Sequence, residues 1–272
     1  MLGAGNVWIR CAVIALCATA CGPSSAPEEL FIGHSFFKPF AENMAPLNSA
    51  AGLGEIDAEI VFSGGSSGAP QALWEDRSLR KQIQGYLDGG NVTLFAMTYE
   101  PLYPSDEGYI NWIEYALKNN PDTRFVLALP WLDYPESDAY PSASVYAETW
   151  LDAHDDEWLV LVNGLRDAYP NNEFVSLPYG QSASELRTLF EADALPDVGA
   201  LTSDLTDDTA ENDVGVFVDE KGHPDDILVS LGSLVWGRVI YDIEPSADFL
   251  QQDYETDLVA IANAIVDEHA GQ

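Results

Sequence analysis

The chain has 272 residues, 47% of them hydrophobic, which is enough to bury a large core and argues against a disordered protein. It carries 45 acidic residues against 11 basic ones, a formal charge of −34. Such a chain has no basic stripe to neutralise phosphates, which argues against nucleic acid as a partner and against electrostatic docking on anionic lipid.

The first twenty residues have the pattern of a secretory signal. Arg10 supplies a basic start, and an apolar stretch too short to span a bilayer follows at 12–20. The ending Ala-Thr-Ala-Cys at 18–21 resembles a bacterial lipoprotein cleavage box. This resemblance implies that Cys21 is lipidated and anchors the chain to a membrane outside the cytoplasm, in the periplasm or at the cell surface. The alternative is a secreted protein cut near Ala20 without lipidation.

Three segments follow from this interpretation: a signal at 1–20, a flexible tether at 21–29 and a single domain at 30–272. Cys21 is then the only cysteine left after cleavage. We therefore expect neither a disulfide nor a cysteine-based metal site.

From residue 30 onward, short apolar runs alternate with helical patterns. Strands are predicted at 30–32, 58–62, 92–97, 124–129 and 173–177. An irregular acidic region follows at 198–213, and the run at 214–218 is either a strand or an extended segment. Helices are predicted at 36–50, 71–87, 144–169, 182–192, 226–241 and 249–269, and around 109–117. This alternation predicts an α/β fold with a parallel sheet of about five strands and helices on both faces.

Polar residues follow the first three predicted strands. Ser35 comes after the first strand, a glycine-rich loop at 63–68 after the second, and Thr98-Tyr99 after the third. Right-handed crossovers bring the carboxyl ends of parallel strands to one rim, where ligands bind. We expect these features to meet there, together with the loop 219–224, which precedes a late helix.

A serine at such a turn is either a nucleophile or the N-cap of the helix that follows. A nucleophilic serine needs a histidine as its base and a carboxylate to orient that histidine. Of the four histidines, His34 adjoins Ser35 and should point away from it, His154 is in an acidic helical segment, and His269 is near the C-terminus. His223, in a glycine- and proline-bounded loop, is the candidate base.

Three features together resemble the SGNH (GDSL-type) hydrolase superfamily: the run Ile-Gly-His-Ser-Phe at 32–36, the glycine loop, and a late acid-x-x-His-Pro pattern ending at Pro224. The resemblance implies a flavodoxin-like three-layer α/β/α sandwich with Ser35 as nucleophile and His223 as base. Asp219 is favoured as the acid, with Glu220 as the alternate because it stands three residues before the histidine. No cofactor and no metal are implied.

The resemblance also implies an oxyanion hole. Gly65, or its neighbour Gly64, matches the glycine whose amide joins the Ser35 amide. The family's usual third block, Gly-x-Asn-Asp, is replaced by Thr-Tyr-Glu-Pro at 98–101. Either the Thr98 or Tyr99 hydroxyl donates in place of the asparagine, or the third donor is missing. The glycine loop has a second interpretation as an ordinary turn.

The aromatic loop after the fourth strand offers Trp131, Tyr134 and Tyr140 as a sugar-stacking platform, with partial burial in the core as the alternative. We therefore expect a serine esterase that acts on small acyl esters, with an acetyl group on a carbohydrate as the favoured substrate. The rival hypothesis is a non-catalytic lipoprotein that binds a glycan in the same cleft. An acidic cluster at 204–213 lacks the spacing of a calcium loop and is interpreted as a solvated segment.

Overall fold

Five parallel strands form the central sheet: β1 Glu29–Gly33, β2 Ala58–Phe62, β3 Leu94–Thr98, β4 Arg124–Ala128 and β5 Phe174–Leu177. Their order is β2-β1-β3-β4-β5. The structure, a computed structural model, describes residues 27–203 and 214–270. The signal segment, Cys21 and the acidic cluster at 204–213 lie outside the described residues.

Both faces of the sheet are buried. On β1, Leu30 and Ile32 point into one core and Phe31 into the other, because successive side chains of a strand alternate between faces. All of β1, β3 and the inner part of β4 is buried, as expected of parallel strands covered on both sides. The predicted α/β sandwich with a parallel sheet of about five strands is confirmed.

Helices cover each face. Their bounds are α1 Lys38–Ala50, α2 Pro70–Glu75, α3 Arg77–Leu87, α4 Glu107–Asn119, α5 Ala143–Ala153, α6 Leu159–Ala168, α7 Gln181–Glu191, α8 Asp226–Tyr241 and α9 Leu258–Glu268. Helices α1, α7, α8 and α9 pack on the Phe31 side, and α2, α3, α4 and α6 on the Leu30 side. In the described ranges no helix has the length and apolarity needed to cross a membrane.

Several predicted helices are interrupted. Asp76 divides the helix expected at 71–87, because its side chain accepts hydrogen bonds from the Ser78 and Leu79 amides and so caps α3. The helix expected at 144–169 passes through a π-helical turn at His154–Trp158. Only the second half of the segment 249–269 forms a helix, α9, preceded by a short 3₁₀ turn at Ala247–Phe249.

Two further differences concern strands. A short parallel pair is formed by β6 Ala200–Thr202, within the region expected to be irregular, and β7 Gly215–Phe217, which takes the strand alternative given for 214–218. Glu29, expected at the end of the tether, is the first residue of β1, and its carboxylate accepts a hydrogen bond of 2.6 Å from the Tyr241 hydroxyl. Burial raises the pKa of Glu29.

The loop after β2 rests directly on the turn after β1. A Cβ atom on Gly68 would lie 2.5 Å from the Gly33 carbonyl oxygen and 2.6 Å from the His34 Cα. Only glycine permits backbones to approach this closely. The contact fixes the glycine loop relative to Ser35, one residue further along the chain.

Gly68→Ala should therefore destabilise the fold and displace the Ser35 turn. We expect a loss of about 1–3 kcal/mol in the free energy of unfolding, typical of overpacking, measured by urea denaturation. Gly64→Ala is the matched control, because nothing lies within 4 Å of its Cβ position and its φ is −72°. Equal stability of the two variants would contradict this account of the contact.

Candidate active site

Ser35 lies in the turn between β1 and α1, at the carboxyl edge of the sheet. The amides of Phe37 and Lys38 both donate to the His34 carbonyl at 3.1 Å, which closes the turn. The N-cap of α1 is Phe37, and no side chain caps that helix. The alternative interpretation of Ser35 as a helix cap is therefore wrong, and its hydroxyl is directed elsewhere.

Ser35, His223 and Asp219 form a continuous hydrogen-bonded chain. Ser35 Oγ lies 2.8 Å from His223 Nε2, and His223 Nδ1 lies 2.6 Å from Asp219 Oδ2. An ionised Asp219 accepts from Nδ1–H, which leaves Nε2 free to accept the hydrogen of the Ser35 hydroxyl. The arrangement is that of a serine activated by a base that a carboxylate orients.

The loop after β7 holds the histidine and the acid together. The Val218 amide donates to the His223 carbonyl at 2.9 Å, and the Gly222 amide donates to the Asp219 carbonyl at 2.9 Å. Gly222 has a φ of +96°, and a Cβ there would also lie 2.9 Å from Pro135 Cδ, so the tight turn requires glycine.

Asp219, and not Glu220, provides the carboxylate that contacts His223. Asp219 Oδ1 also accepts from the amides of Gly222 and His223, both at 3.1 Å, whereas Glu220 is exposed. Desolvation opposes ionisation of Asp219, but the hydrogen bonds from the amide and ring of His223 outweigh it and lower the pKa of this carboxyl. Asp219 is thus a carboxylate at neutral pH, as an acceptor from Nδ1–H must be.

Two aromatic side chains brace the base. Phe36 stacks on Trp131 with ring centroids 4.8 Å apart, and its ring meets that of His223 edge-on at 5.3 Å. The indole N–H of Trp131 donates to the Gly222 carbonyl at 2.8 Å. Trp131 is only 3% exposed, so its ring packs within the site and is not an open stacking platform.

His34 is buried beside Ser35 but does not contact its hydroxyl. Its Nδ1 accepts from the Phe36 amide at 3.2 Å, so the proton is on Nε2, which donates to the Tyr99 carbonyl at 3.0 Å. Desolvation lowers the pKa of His34 from 6.5 to about 4, against the opposing effect of the Tyr99 carbonyl. The neutral ring joins the end of β1 to the end of β3.

The two candidate hydroxyl donors after β3 are engaged elsewhere. Thr98 is fully buried and its hydroxyl faces His34 Nε2 and the Tyr99 carbonyl, at 3.3 and 3.4 Å. The Tyr99 hydroxyl donates to Glu157 Oε2 at 3.0 Å. Neither hydroxyl is directed at Ser35, so the place of the expected third donor is not filled from this segment.

Gly64 and Gly65 stand where the glycine loop leaves β2. Gly65 has a φ of +55° and begins a 3₁₀ turn, Gly65–Gly68. Within the described part of the chain, the amides of Ser35 and Gly65 make no hydrogen bond. Both are thus available to a ligand.

A cavity of about 860 Å³ adjoins these groups. Its walls combine aromatic and apolar side chains with the carboxylates of Glu100, Asp133 and Glu157. Burial raises the pKa of both Glu100 and Asp133, and Lys221 opposes that effect in each case. A cavity of this size, lined by Gly65 and by both chain neighbours of Ser35, is typical of a small-molecule site.

Tyr134 lies at the mouth of the cavity and is 53% exposed. Its φ is 54°, and its amide donates to the Lys221 carbonyl at 3.0 Å. An aromatic residue rarely takes this left-handed conformation, and such strain is concentrated at ligand sites. Tyr140 also lines the cavity, but it is partly buried and meets Tyr146 edge-on at 5.2 Å.

Sequence reasoning did not identify Phe36, Glu157 or Lys221 as part of this site. Phe36 directly follows Ser35 in the chain. This adjacency was a usable signal that its ring could pack against His223. Glu157 gave no signal, because its position depends on how the π-helical turn is placed in space. Lys221 lies within the loop 219–224 that the sequence placed at the rim, but that analysis gave it no role of its own.

Comparison with known proteins adds little to this description. No protein-family profile and no curated protein matches the chain. One solved structure with a related outline is the periplasmic domain of a lipopolysaccharide acetyltransferase from Salmonella ser. Paratyphi A, with 11% identity and a TM-score of 0.38 over 59% of this chain and 69% of that one. A likeness this distant does not bear on activity.

The buried His34 should make stability depend on pH. Its pKa is about 4 in the folded protein and near 6.5 when unfolded, so the unfolded chain binds the extra proton between these values and stability falls as pH drops from about 6.5 to about 4. The contribution is about 3 kcal/mol. His34→Gln removes the titration, so the advantage of the wild type in free energy of unfolding should shrink across this window.

Urea denaturation of both proteins at several pH values measures that difference directly. Taking the difference cancels the many carboxylates common to both. A gap between wild type and variant that stays constant from pH 7 to pH 4 would contradict the burial of a neutral His34.

Proposed function

We propose that this protein is an SGNH-type serine esterase. The observation that carries the proposal is the chain from Ser35 Oγ through His223 to Asp219, with its two contacts of 2.8 and 2.6 Å. The position of the serine after a central strand, with a glycine loop after the neighbouring strand, also supports it. The carboxyl edge between β1 and β3, where the strand order reverses, is where open α/β sheets bind ligands.

In the first half of the proposed reaction, Ser35 Oγ attacks the ester carbonyl carbon. The hydroxyl proton passes to His223 Nε2, and the carbonyl electron pair moves onto oxygen to give a tetrahedral oxyanion. Asp219 stabilises the imidazolium that forms. Collapse breaks the bond to the alcohol oxygen, which takes the proton from His223 and leaves an acyl-serine.

In the second half, water attacks the acyl carbon while His223 accepts its proton. A second oxyanion forms and collapses, Ser35 Oγ leaves and recovers the proton, and the carboxylic acid departs. In both halves the amides of Ser35 and Gly65 are the proposed oxyanion donors, with Gly64 as the alternative to Gly65. A preorganised donor of this kind typically contributes about 3–4 kcal/mol to the transition state.

The proposed substrate is a small acyl ester, with an acetyl group on a carbohydrate as the favoured case. The exposed ring of Tyr134 and the carboxylates around the cavity can stack on and accept hydrogen bonds from a polyhydroxy alcohol. Trp131 would shape the wall of this space while it braces the catalytic loop. The reaction as proposed uses no cofactor and no metal.

A second candidate function is binding without turnover. The observation that favours it is the engagement of the Thr98 and Tyr99 hydroxyls, which leaves no side-chain hydroxyl from this segment for an oxyanion. In that case a glycan occupies the cavity and is not hydrolysed.

Turnover of p-nitrophenyl esters separates the two functions. We expect hydrolysis of p-nitrophenyl acetate by the wild type, with loss of activity to background in Ser35→Ala, and labelling of Ser35 by a fluorophosphonate. If the wild type shows no rate above Ser35→Ala from acetate to octanoate, the esterase proposal fails, and glycan binding to the wild type then tests the second candidate.

The acid can be identified by a matched pair of variants. Asp219→Asn should lower kcat by about 10²–10⁴, because the amide no longer fixes the tautomer or stabilises the imidazolium. Glu220→Gln should leave kcat within about twofold, since its side chain is exposed. Steady-state kinetics measure both, and a larger loss in the Glu220 variant would reverse the assignment.

We also propose an extracytoplasmic location, with membrane contact only through a lipid on Cys21. This rests on the sequence pattern at 18–21. Cys21→Ser should move the protein from the membrane fraction to the soluble extracytoplasmic fraction, as followed by immunoblotting after cell fractionation. A variant that stays in the membrane fraction would show that Cys21 is not the anchor.

A further inference from the structure

Lys221 lies at the wall of the cavity next to Ser35. Its Nζ is 3.9 Å from Asp133 Oδ2 and 5.8 Å from the centroid of the Phe36 ring. Nζ is also only 3.4 Å from the position that a Cβ on Gly65 would occupy, so the ammonium lies against the glycine loop. Among the cavity-lining residues in the described ranges, Lys221 is the only basic one.

The proposed oxyanion hole has no side-chain donor from the segment after β3. The Ser35 and Gly65 amides provide two donors, while the Thr98 and Tyr99 hydroxyls are engaged with other partners. A site that stabilises a full negative charge with two amides gains from a fixed positive charge on the same side. The Lys221 ammonium lies beside Gly65, whose amide is one of these two proposed donors.

We infer that the Lys221 ammonium is the third group that stabilises the oxyanion, in place of a side-chain donor after β3. The inference rests on the ester hydrolysis proposed above. When the Ser35 Oγ–carbon bond forms and the carbonyl electron pair moves onto oxygen, Lys221 donates a charge-assisted hydrogen bond to that oxygen and transfers no proton. Proton transfer stays with His223.

Hydrogen bonds fix the backbone at Lys221, which limits the positions that its ammonium can reach. The Tyr134 amide donates to the Lys221 carbonyl, and the adjacent Gly222 carbonyl accepts from the Trp131 indole. The side chain extends over Phe36 and is about one third exposed. At 3.9 Å and partly in solvent, Asp133 orients the ammonium without cancelling its charge.

Lys221→Met tests the inference, because it keeps the length of the side chain and removes the charge. On p-nitrophenyl acetate we expect kcat and kcat/KM to fall together by about 10- to 100-fold, with KM within about threefold of the wild type. Lys221→Arg, which keeps a positive charge, should retain most of the activity. Lys81→Met is the control for loss of a surface charge, because Lys81 is exposed on α3, and it should match the wild type.

The competing explanation is that Lys221 recognises a negative charge on the substrate. A second ester that carries a free carboxylate on its acyl chain separates this explanation from an oxyanion role. An oxyanion role predicts the same fall in kcat for both esters. If Lys221→Met impairs only the anionic ester, through KM, then Lys221 recognises substrate charge and the inference is overturned.

Two other results also overturn it. If Lys221→Met behaves like Lys81→Met on both esters, Lys221 has no catalytic role. If Lys221→Arg is as impaired as Lys221→Met while the melting temperature of both falls, Lys221 acts only by shaping the loop. If the wild type is no faster than Ser35→Ala, the esterase proposal itself fails. This result is distinct from the others because it is obtained before any Lys221 variant is measured.

Discussion

The hydrogen bond from His34 Nε2 to the Tyr99 carbonyl ties the end of β1 to the end of β3, across the point where the strand order reverses. The same ring accepts from the Phe36 amide and so sets the turn that holds Ser35 between them. A neutral buried imidazole can do both because one nitrogen donates and the other accepts. The glycine loop closes over this turn through the contact between Gly68 and the Gly33 carbonyl. The position of the Ser35 hydroxyl therefore follows from backbone geometry shared by three strands.

His223 reaches this turn on a separate loop, and two hydrogen bonds tie the backbone of that loop to the loop after β4. The Trp131 indole donates to the Gly222 carbonyl, and the Tyr134 amide donates to the Lys221 carbonyl. These bonds join the loop after β4, which forms one wall of the cavity, to the loop after β7, which carries Asp219 and His223. A group bound against Tyr134 contacts a residue whose amide is hydrogen-bonded to the Lys221 backbone. The residue proposed to bind the substrate and the residue proposed to stabilise the oxyanion are thus joined through their backbones.

Sequence reasoning could predict the sheet and the meeting of Ser35 with His223, because both follow from apolar alternation and from the position of polar residues at strand ends. It favoured Asp219 as the acid and kept Glu220 as the alternate, and the structure brings the Asp219 carboxylate to the His223 ring. That choice depends on the left-handed turn at Gly222, which brings the Asp219 side chain back under the ring. The role of Trp131 was also hidden, since an aromatic residue in a loop looks the same in sequence whether it packs on Phe36 or faces solvent. The interruption of the helix at Asp76 was missed, because the apolar pattern continues across it.

The contact between Ser35 and His223 joins residues 188 positions apart in the chain. The serine is placed near the start of the fold and its base near the end, with the rest of the sheet between them. A chain still being made, or one cut before the loop after β7, carries Ser35 without His223, the residue proposed to activate it. Contacts of such long sequence separation form late, after the loop they close has been ordered. Under the proposed mechanism, the reactivity of Ser35 therefore requires a chain that is folded as far as the loop after β7.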